Sequence, residues 1–143
     1  MLRIVNCAIF PVRYSDSFYA DILLTPPGYT KFAYVDGCAV GAICCRLEPI
    51  DSPSNPHAQR TYIMTLGILE PYRRCGLASR LLNSVVMQSR QDGIDHVYLH
   101  VQTSNSAALR FYQRFGFQVT DMIKNYYRRI EPPDCYVLTK ALT

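Results

Sequence analysis

Long basic runs are missing from this chain: no stretch of Lys or Arg exceeds two residues. With 15 Lys and Arg against 11 Asp and Glu, the net charge of +4 is a mild excess. That balance suits a small anionic ligand or an acidic partner surface and argues against direct nucleic-acid binding, which calls for a denser stripe. Long apolar runs are missing too, since nothing approaches the ~20 residues that a membrane-crossing helix needs. The opening stretch is interrupted by Asn6 and then Pro11, too soon for a signal-peptide core. The six cysteines, at 7, 38, 44, 45, 75 and 135, form no C-x-x-C pair, so no zinc ligand set is expected. Without an export signal the thiols are expected to be reduced, in the cytoplasm or also the nucleus. No internal repeat is present, and 143 residues, 49% of them hydrophobic, suffice for one domain over 1–143 with a real core.

What the chain does have is a basic turn, Pro71-Tyr72-Arg73-Arg74-Cys75-Gly76-Leu77-Ala78, set between a strand and a helix. Residues 61–69 read as the strand. Ala78, Leu81, Leu82, Val85, Val86 and Ser89 recur at helical spacing and mark the apolar face of the helix. Free N–H groups at a helix start, together with the macrodipole, favour an anion in the turn. Gly76 lets backbone approach it, and Arg73 and Arg74 add charge at the rim. Alone, the pattern equally describes a solvated helix entry. Cys75 sits where an arginine pair and a helix start would make a thiol reactive; as a plain small residue it would also fit.

Elsewhere, residues 1–9 read as a helix end, 10–14 as a turn around Pro11, and 15–24 as a short helix stopped by Pro26-Pro27-Gly28. Residues 31–35 and 39–47 are predicted strands joined by Asp36-Gly37, a hairpin signal. Residues 48–59 are predicted as a surface loop. A further strand over 97–102, a helix over 105–115 and a closing antiparallel pair over 117–122 and 135–140 complete the chain. Alternation places Tyr62, Met64 and Leu66 on one strand face, and Tyr98, His100 and Gln102 on one face of another. If the two faces coincide, Tyr62 and His100 flank one cleft.

A second block follows the turn: Tyr98-Leu99-His100-Val101-Gln102, then Asn105 through Ala107-Ala108, Phe111-Tyr112 and Gly116-Phe117. Together the blocks resemble the GNAT family of acetyl-CoA-dependent N-acetyltransferases, whose pyrophosphate loop runs Arg/Gln-x-x-Gly-x-Gly/Ala. Phe10-Pro11-Val12-Arg13-Tyr14, Tyr62-Ile63-Met64-Thr65-Leu66-Gly67, Asn125-Tyr126-Tyr127 and Ile130-Glu131-Pro132 further resemble the NatE-type N-alpha-acetyltransferase catalytic subunits. The resemblance implies an α/β fold, a mixed and mostly antiparallel sheet flanked by helices, here without the family's first strand and most of its first helix. It implies acetyl-CoA as co-substrate, held by Leu66, Gly67 and Ile68, by the turn from Arg73 through Cys75 and Gly76 to Leu77, Ala78 and Ser79, and by Asn105, Ala108 and Tyr112. Tyr62 and His100 would act as general bases through an ordered water, and Tyr112 as the acid for the leaving thiolate. Phe10, Pro11, Val12, Tyr14, Met64, Tyr126, Tyr127 and Ile130 would line a groove for a peptide N-terminus.

Each role has a plainer competitor. Tyr62 is also an ordinary half-buried strand aromatic, and His100 an ordinary core histidine in need of a partner. Tyr112 completes an apolar helix stripe with Ala108, Phe111 and Phe115, and Asn105 is a good N-cap. The groove residues could form a simple hydrophobic cluster, although adjacent tyrosines in a loop suit an extended backbone better.

The resemblance implies acetylation of protein N-termini and nascent peptides, with Met followed by a hydrophobic residue preferred and NatA-type auxiliary and catalytic subunits as partners. A terminal amine has a pKa near 7.7–8.0 and lysine near 10.4, so a lysine costs about 3.4 kcal/mol more to deprotonate at neutral pH. Lysine is the slower substrate on that ground. A silent GNAT-fold subunit acting as scaffold is the alternative, and Tyr62, His100 and the turn speak against it.

Overall fold

Asp36 and Gly37 sit at φ 51° and 80°, the left-handed backbone that a tight hairpin needs and that Asp-Gly tolerates. In the computed structural model, which describes residues 28–142, they join β1 (Thr30–Val35) to β2 (Cys38–Pro49). The expected elements over 1–24, and with them Phe10, Pro11, Val12 and Tyr14, lie outside the described residues. β3 (Gln59–Ile68) leads through a 3-10 turn (Glu70–Tyr72) into α1 (Leu77–Gln91). β4 (His96–Gln102), α2 (Ser106–Arg114), β5 (Gln118–Ile123) and β6 (Cys135–Ala141) follow. The strands form one sheet in the order β1-β2-β3-β4-β6-β5. Among the described strands only β3 and β4 pair in parallel, with α1 as the crossover such a pair requires. The mixed, mostly antiparallel α/β sheet expected from the sequence is the one observed.

Leu81, Leu82, Val85, Val86 and Ser89 are the buried face of α1, the stripe marked by helical spacing. They meet the inward residues of the sheet, among them Ile43, Cys45, Ile63, Val97 and Leu99. Burying each Leu, Ile or Val contributes about 1.5–3 kcal/mol. Among the described residues three polar side chains are buried, Thr61, Thr65 and Ser89, and the Thr61 and Ser89 hydroxyls satisfy each other at 2.9 Å. On β3 and β4 the alternation is strict: Thr61, Ile63 and Thr65 are buried, while Tyr62, Met64 and Leu66 are half-buried on the other face. Tyr98, His100 and Gln102 share that half-buried pattern on β4.

One boundary differs from expectation in a consequential way. β2 runs on to Pro49, so Glu48 belongs to a strand and not to the predicted loop. Glu48 and Arg60 face each other across the β2–β3 ladder and hydrogen-bond at 2.9 Å, a cross-strand pair that prolongs the ladder.

Two irregularities shape the site. The β2–β3 register passes from Cys44 opposite Thr65 to Cys45 opposite Ile63, which leaves Met64 as a bulge in the central strand. The β3–β4 pairing covers only Arg60 to Tyr62 against His96 to Tyr98. Beyond Tyr62 and Tyr98 the two strands separate, and a cleft opens between them.

Candidate active site

The basic turn closes with two left-handed residues, Arg74 at φ 66° and Gly76 at φ 80°. Gly76 is the N-cap of α1, and no side chain caps that helix, so its first N–H groups face the turn without an internal partner. Among the described residues, a Cβ on Gly76 would meet no atom within 4 Å beyond its own chain neighbours; toward the other described residues the space in front of the helix start is open. Arg73 turns inward, its Nε donating to the Ile68 carbonyl at 2.8 Å, and so braces the turn on the end of β3. The hollow before the helix is lined by Arg73, Arg74, Gly76, Ser79, Phe111 and Arg114, among others. Open N–H groups, a positive dipole end and three guanidinium groups fit a pyrophosphate.

An apolar hollow of about 530 Å³ continues from the turn along Leu66, Gly67, Ile68, Ala78, Ala108, Phe111 and Tyr112. A second hollow of about 320 Å³ occupies the split between β3 and β4, with Met64, Leu66, His100, Gln102, Asn105, Ala108, Tyr112, Tyr127 and Ile130 on its walls. Leu66, Ala108 and Tyr112 border both, which places Tyr112 at their junction. Asn105 caps α2, its side-chain oxygen accepting from the Ala108 N–H at 3.1 Å. Burial raises the Tyr112 pKa, so the phenol keeps its proton at neutral pH and has an O–H to donate.

At the closed end of the split the Tyr62 hydroxyl lies 2.9 Å from His100 Nδ1. The Tyr126 hydroxyl approaches the same nitrogen at 3.3 Å, and the Tyr126 ring stacks on the imidazole with centroids 4.6 Å apart. Burial lowers the His100 pKa, and the Glu48 carboxylate only partly opposes it; the ring is a neutral base at pH 7. Burial, then the Tyr126 hydroxyl, raises the Tyr62 pKa far above that of an ordinary phenol. The two groups are therefore unlike. With the imidazole proton on Nε2, the Tyr62 hydroxyl donates to Nδ1, and the neutral imidazole is the stronger base of the two.

Residues 2–117, which include both the turn and the α2 block, match the acetyltransferase (GNAT) family. The chain belongs to the GNAT family. It is 48% identical over 142 residues, 99% of this chain and 81% of the relative, to N-alpha-acetyltransferase 50 of Danio rerio. It is 44% identical to the probable N-acetyltransferase san of Drosophila melanogaster, over 99% of this chain and 74% of that protein. Among solved structures, Arabidopsis thaliana Naa50 in complex with the bisubstrate analogue CoA-Ac-MVNAL superposes with a TM-score of 0.87 at 50% identity, covering 98% of this chain and 89% of that one.

Within this GNAT fold, the coenzyme residues implied by the resemblance fall around the three hollows, the one before the helix and the two that continue from it, with one exception. Cys75 is exposed and lines none of them; its Sγ is 3.6 Å from the Arg73 carbonyl. On the acceptor side, Met64, Tyr127 and Ile130 meet in the second hollow, and Tyr126 lies just outside it against His100. The segment between β5 and β6 is held there by Gln102 Nε2 on the Pro132 carbonyl at 2.8 Å and is closed on itself by the Tyr127 N–H on the Pro133 carbonyl at 2.8 Å. Sequence reasoning placed Gln102 on the right face without a role, and it missed Phe111 and Arg114 at the coenzyme hollow. Their signal was available: both lie on the same helix as Tyr112, one and two positions away.

Proposed function

We propose that this chain transfers the acetyl group of acetyl-CoA to the N-terminal α-amine of proteins, favouring Met followed by a hydrophobic residue, with lysine a slow second substrate. The observation that carries this reading is the Tyr62–His100 pair, set where β3 and β4 part, in a cleft whose other end is the open glycine turn. The turn, with Arg74 and Arg114 at its rim, would hold the pyrophosphate. The apolar hollow would take the pantetheine arm and lead it to Tyr112. Acetyl-CoA, when bound, supplies the acetyl group as a thioester.

The amine enters from the side of Met64, Tyr127 and Ile130. His100 takes up its proton at Nδ1, reached through the Tyr62 hydroxyl: as that phenol passes its own proton to the imidazole, it accepts one from the amine or from an intervening water. The split leaves strand-edge N–H groups beside Met64 without ladder partners in the sheet, and these are the donors at hand for a developing oxyanion. Tyr112, protonated and at the junction, is placed to donate to the departing sulfur.

The relatives support the same direction, since the Arabidopsis analogue couples CoA to an acetylated peptide beginning Met-Val. Acting on nascent chains implies a cytoplasmic site of action and docking to NatA-type auxiliary and catalytic subunits. Peptides beginning Met-Leu should be acetylated well ahead of peptides beginning Ser or Asp and of peptides offering only internal lysines. Equal rates on lysine peptides, or none on any peptide from a folded preparation that binds acetyl-CoA, would end this reading and leave the lysine or scaffold alternatives.

A further inference from the structure

One carboxylate organises the base end of the cleft. Glu48 Oε2 accepts from Arg46 Nε at 3.0 Å and from Arg46 Nη2 at 2.6 Å. Its Oε1 accepts from Arg60 Nε at 2.9 Å and from the Tyr98 hydroxyl. In the ladder Arg46 stands opposite Tyr62, and Tyr62 opposite Tyr98. The Arg46 guanidinium lies 5.3 Å from the centre of the Tyr62 ring, and the Tyr98 ring stacks on Tyr62 with centroids 4.8 Å apart. Two of the groups that Glu48 binds are thus the two neighbours of Tyr62. Arg60, the third, lies 4.5 Å from the Tyr98 ring centre and holds that ring in turn.

We propose that Glu48 is a positioning residue for the acetyl transfer, fixing Arg46 and Tyr98 against the Tyr62 ring so that the Tyr62 hydroxyl stays on His100 Nδ1. This rests on the acetyltransferase reading above. Without the carboxylate, Arg46 and Arg60 lose the acceptor that ties them together, and Tyr98 loses the acceptor that orients its ring. The effect on the base also has a sign. Among the described residues, the titratable groups around His100 are Glu48 from β2, Tyr62 from β3, Tyr98 from its own strand, Tyr126 and Tyr127 from the segment after β5, and Tyr112 from α2, with Arg46 of β2 behind Tyr62. Arg60 of β3 stands behind Tyr98. The tyrosines are neutral at pH 7, so Glu48 is the one negative charge among them. Removing it makes an imidazolium harder to form, and His100 titrates at lower pH.

The test uses the full chain with Glu48→Gln, Glu48→Asp and Tyr98→Phe. It measures steady-state acetylation of a Met-Leu peptide across the histidine range and follows the His100 titration by NMR. Glu48→Gln should lower kcat about tenfold with KM for acetyl-CoA unchanged, a split expected of a group acting only at the chemical step. The acid limb of its rate profile and the His100 titration should both move to lower pH. Glu48→Asp should recover most of the rate. Tyr98→Phe removes a single hydroxyl and should lower kcat by a few-fold without raising KM for acetyl-CoA. Wild-type kcat and an unmoved His100 titration in a folded Glu48→Gln protein would overturn the proposal, as would a loss carried wholly by acetyl-CoA affinity. A wild type that acetylates no N-terminal peptide would instead refute the functional reading. The NMR titration would then still decide whether Glu48 acts on His100.

Discussion

Removing His100 and removing only the Tyr62 hydroxyl should have unequal consequences, because burial has given the pair unequal acid–base character. His100→Ala deletes the imidazole, the strongest base among the groups that meet at the closed end of the cleft. The loss of a general base is about 10²-fold or more in kcat, at least ~2.7 kcal/mol in the barrier. Tyr62→Phe keeps the ring stacked on Tyr98 at 4.8 Å and removes one hydrogen bond of 2.9 Å to Nδ1. A neutral hydrogen bond is worth about 0.5–1.5 kcal/mol, or roughly two- to tenfold in rate, and the exposed Nδ1 can still accept a proton through water. The pH dependence should separate them further. His100 is depressed below its ordinary pKa, so the wild-type acid limb should lie below pH ~6.5 and the rate should climb until the α-amine, near pH ~8, is itself deprotonated. His100→Ala should therefore approach wild type at high pH, whereas Tyr62→Phe should show a nearly constant ratio. Initial rates on a Met-Leu peptide at saturating acetyl-CoA measure both. Wild-type turnover in His100→Ala, or a loss in Tyr62→Phe larger than in His100→Ala, would refute this division of roles.

Gly76→Val should leave most of the fold intact, at a backbone cost of about 1–2 kcal/mol for a branched residue at φ 80°. Its side chain fills the open space at the helix start, so calorimetric titration should show acetyl-CoA binding lost; unchanged affinity would remove the anion role of the turn. At Gly41 an added Cβ would come 2.9 Å from the Gly67 carbonyl oxygen, so Gly41→Ala should lower stability by about 1–3 kcal/mol in thermal melts, as overpacking does. Asn105→Ala removes the cap on the Ala108 N–H and should cost about 0.5–2 kcal/mol in denaturant unfolding. Tyr127→Ala should shrink the advantage of Met-Leu over Ser-initial peptides by about 1–3 kcal/mol in kcat/KM, and an unchanged preference would move the acceptor pocket elsewhere.

Local pattern was enough for most elements of the described residues. Helical spacing marked the buried face of α1, Asp36-Gly37 marked the hairpin, and the strand, glycine turn and helix in succession marked an anion site. Those signals are short-range: capping, turn conformation and side-chain periodicity are written within a few residues. Alternation also put Tyr62 and His100 each on one face of its own strand, yet whether those faces coincide, for residues 38 apart in sequence, is a matter of sheet order. Only the fold brought them to hydrogen-bonding distance, and only burial made one a proton holder and the other a base, because desolvation depends on everything packed around a group. Glu48 shows the same limit from the other side. Read locally, it begins a stretch rich in Pro, Ser, Asn and Asp and looks like loop; in the sheet, Arg60 across the ladder extends the strand and the carboxylate gathers three partners. The end of β3–β4 pairing beyond Tyr62 and Tyr98 has no local signature at all. β4 stays paired with β6 along its whole length while its pairing with β3 stops, so the cleft is set by sheet pairing between distant segments.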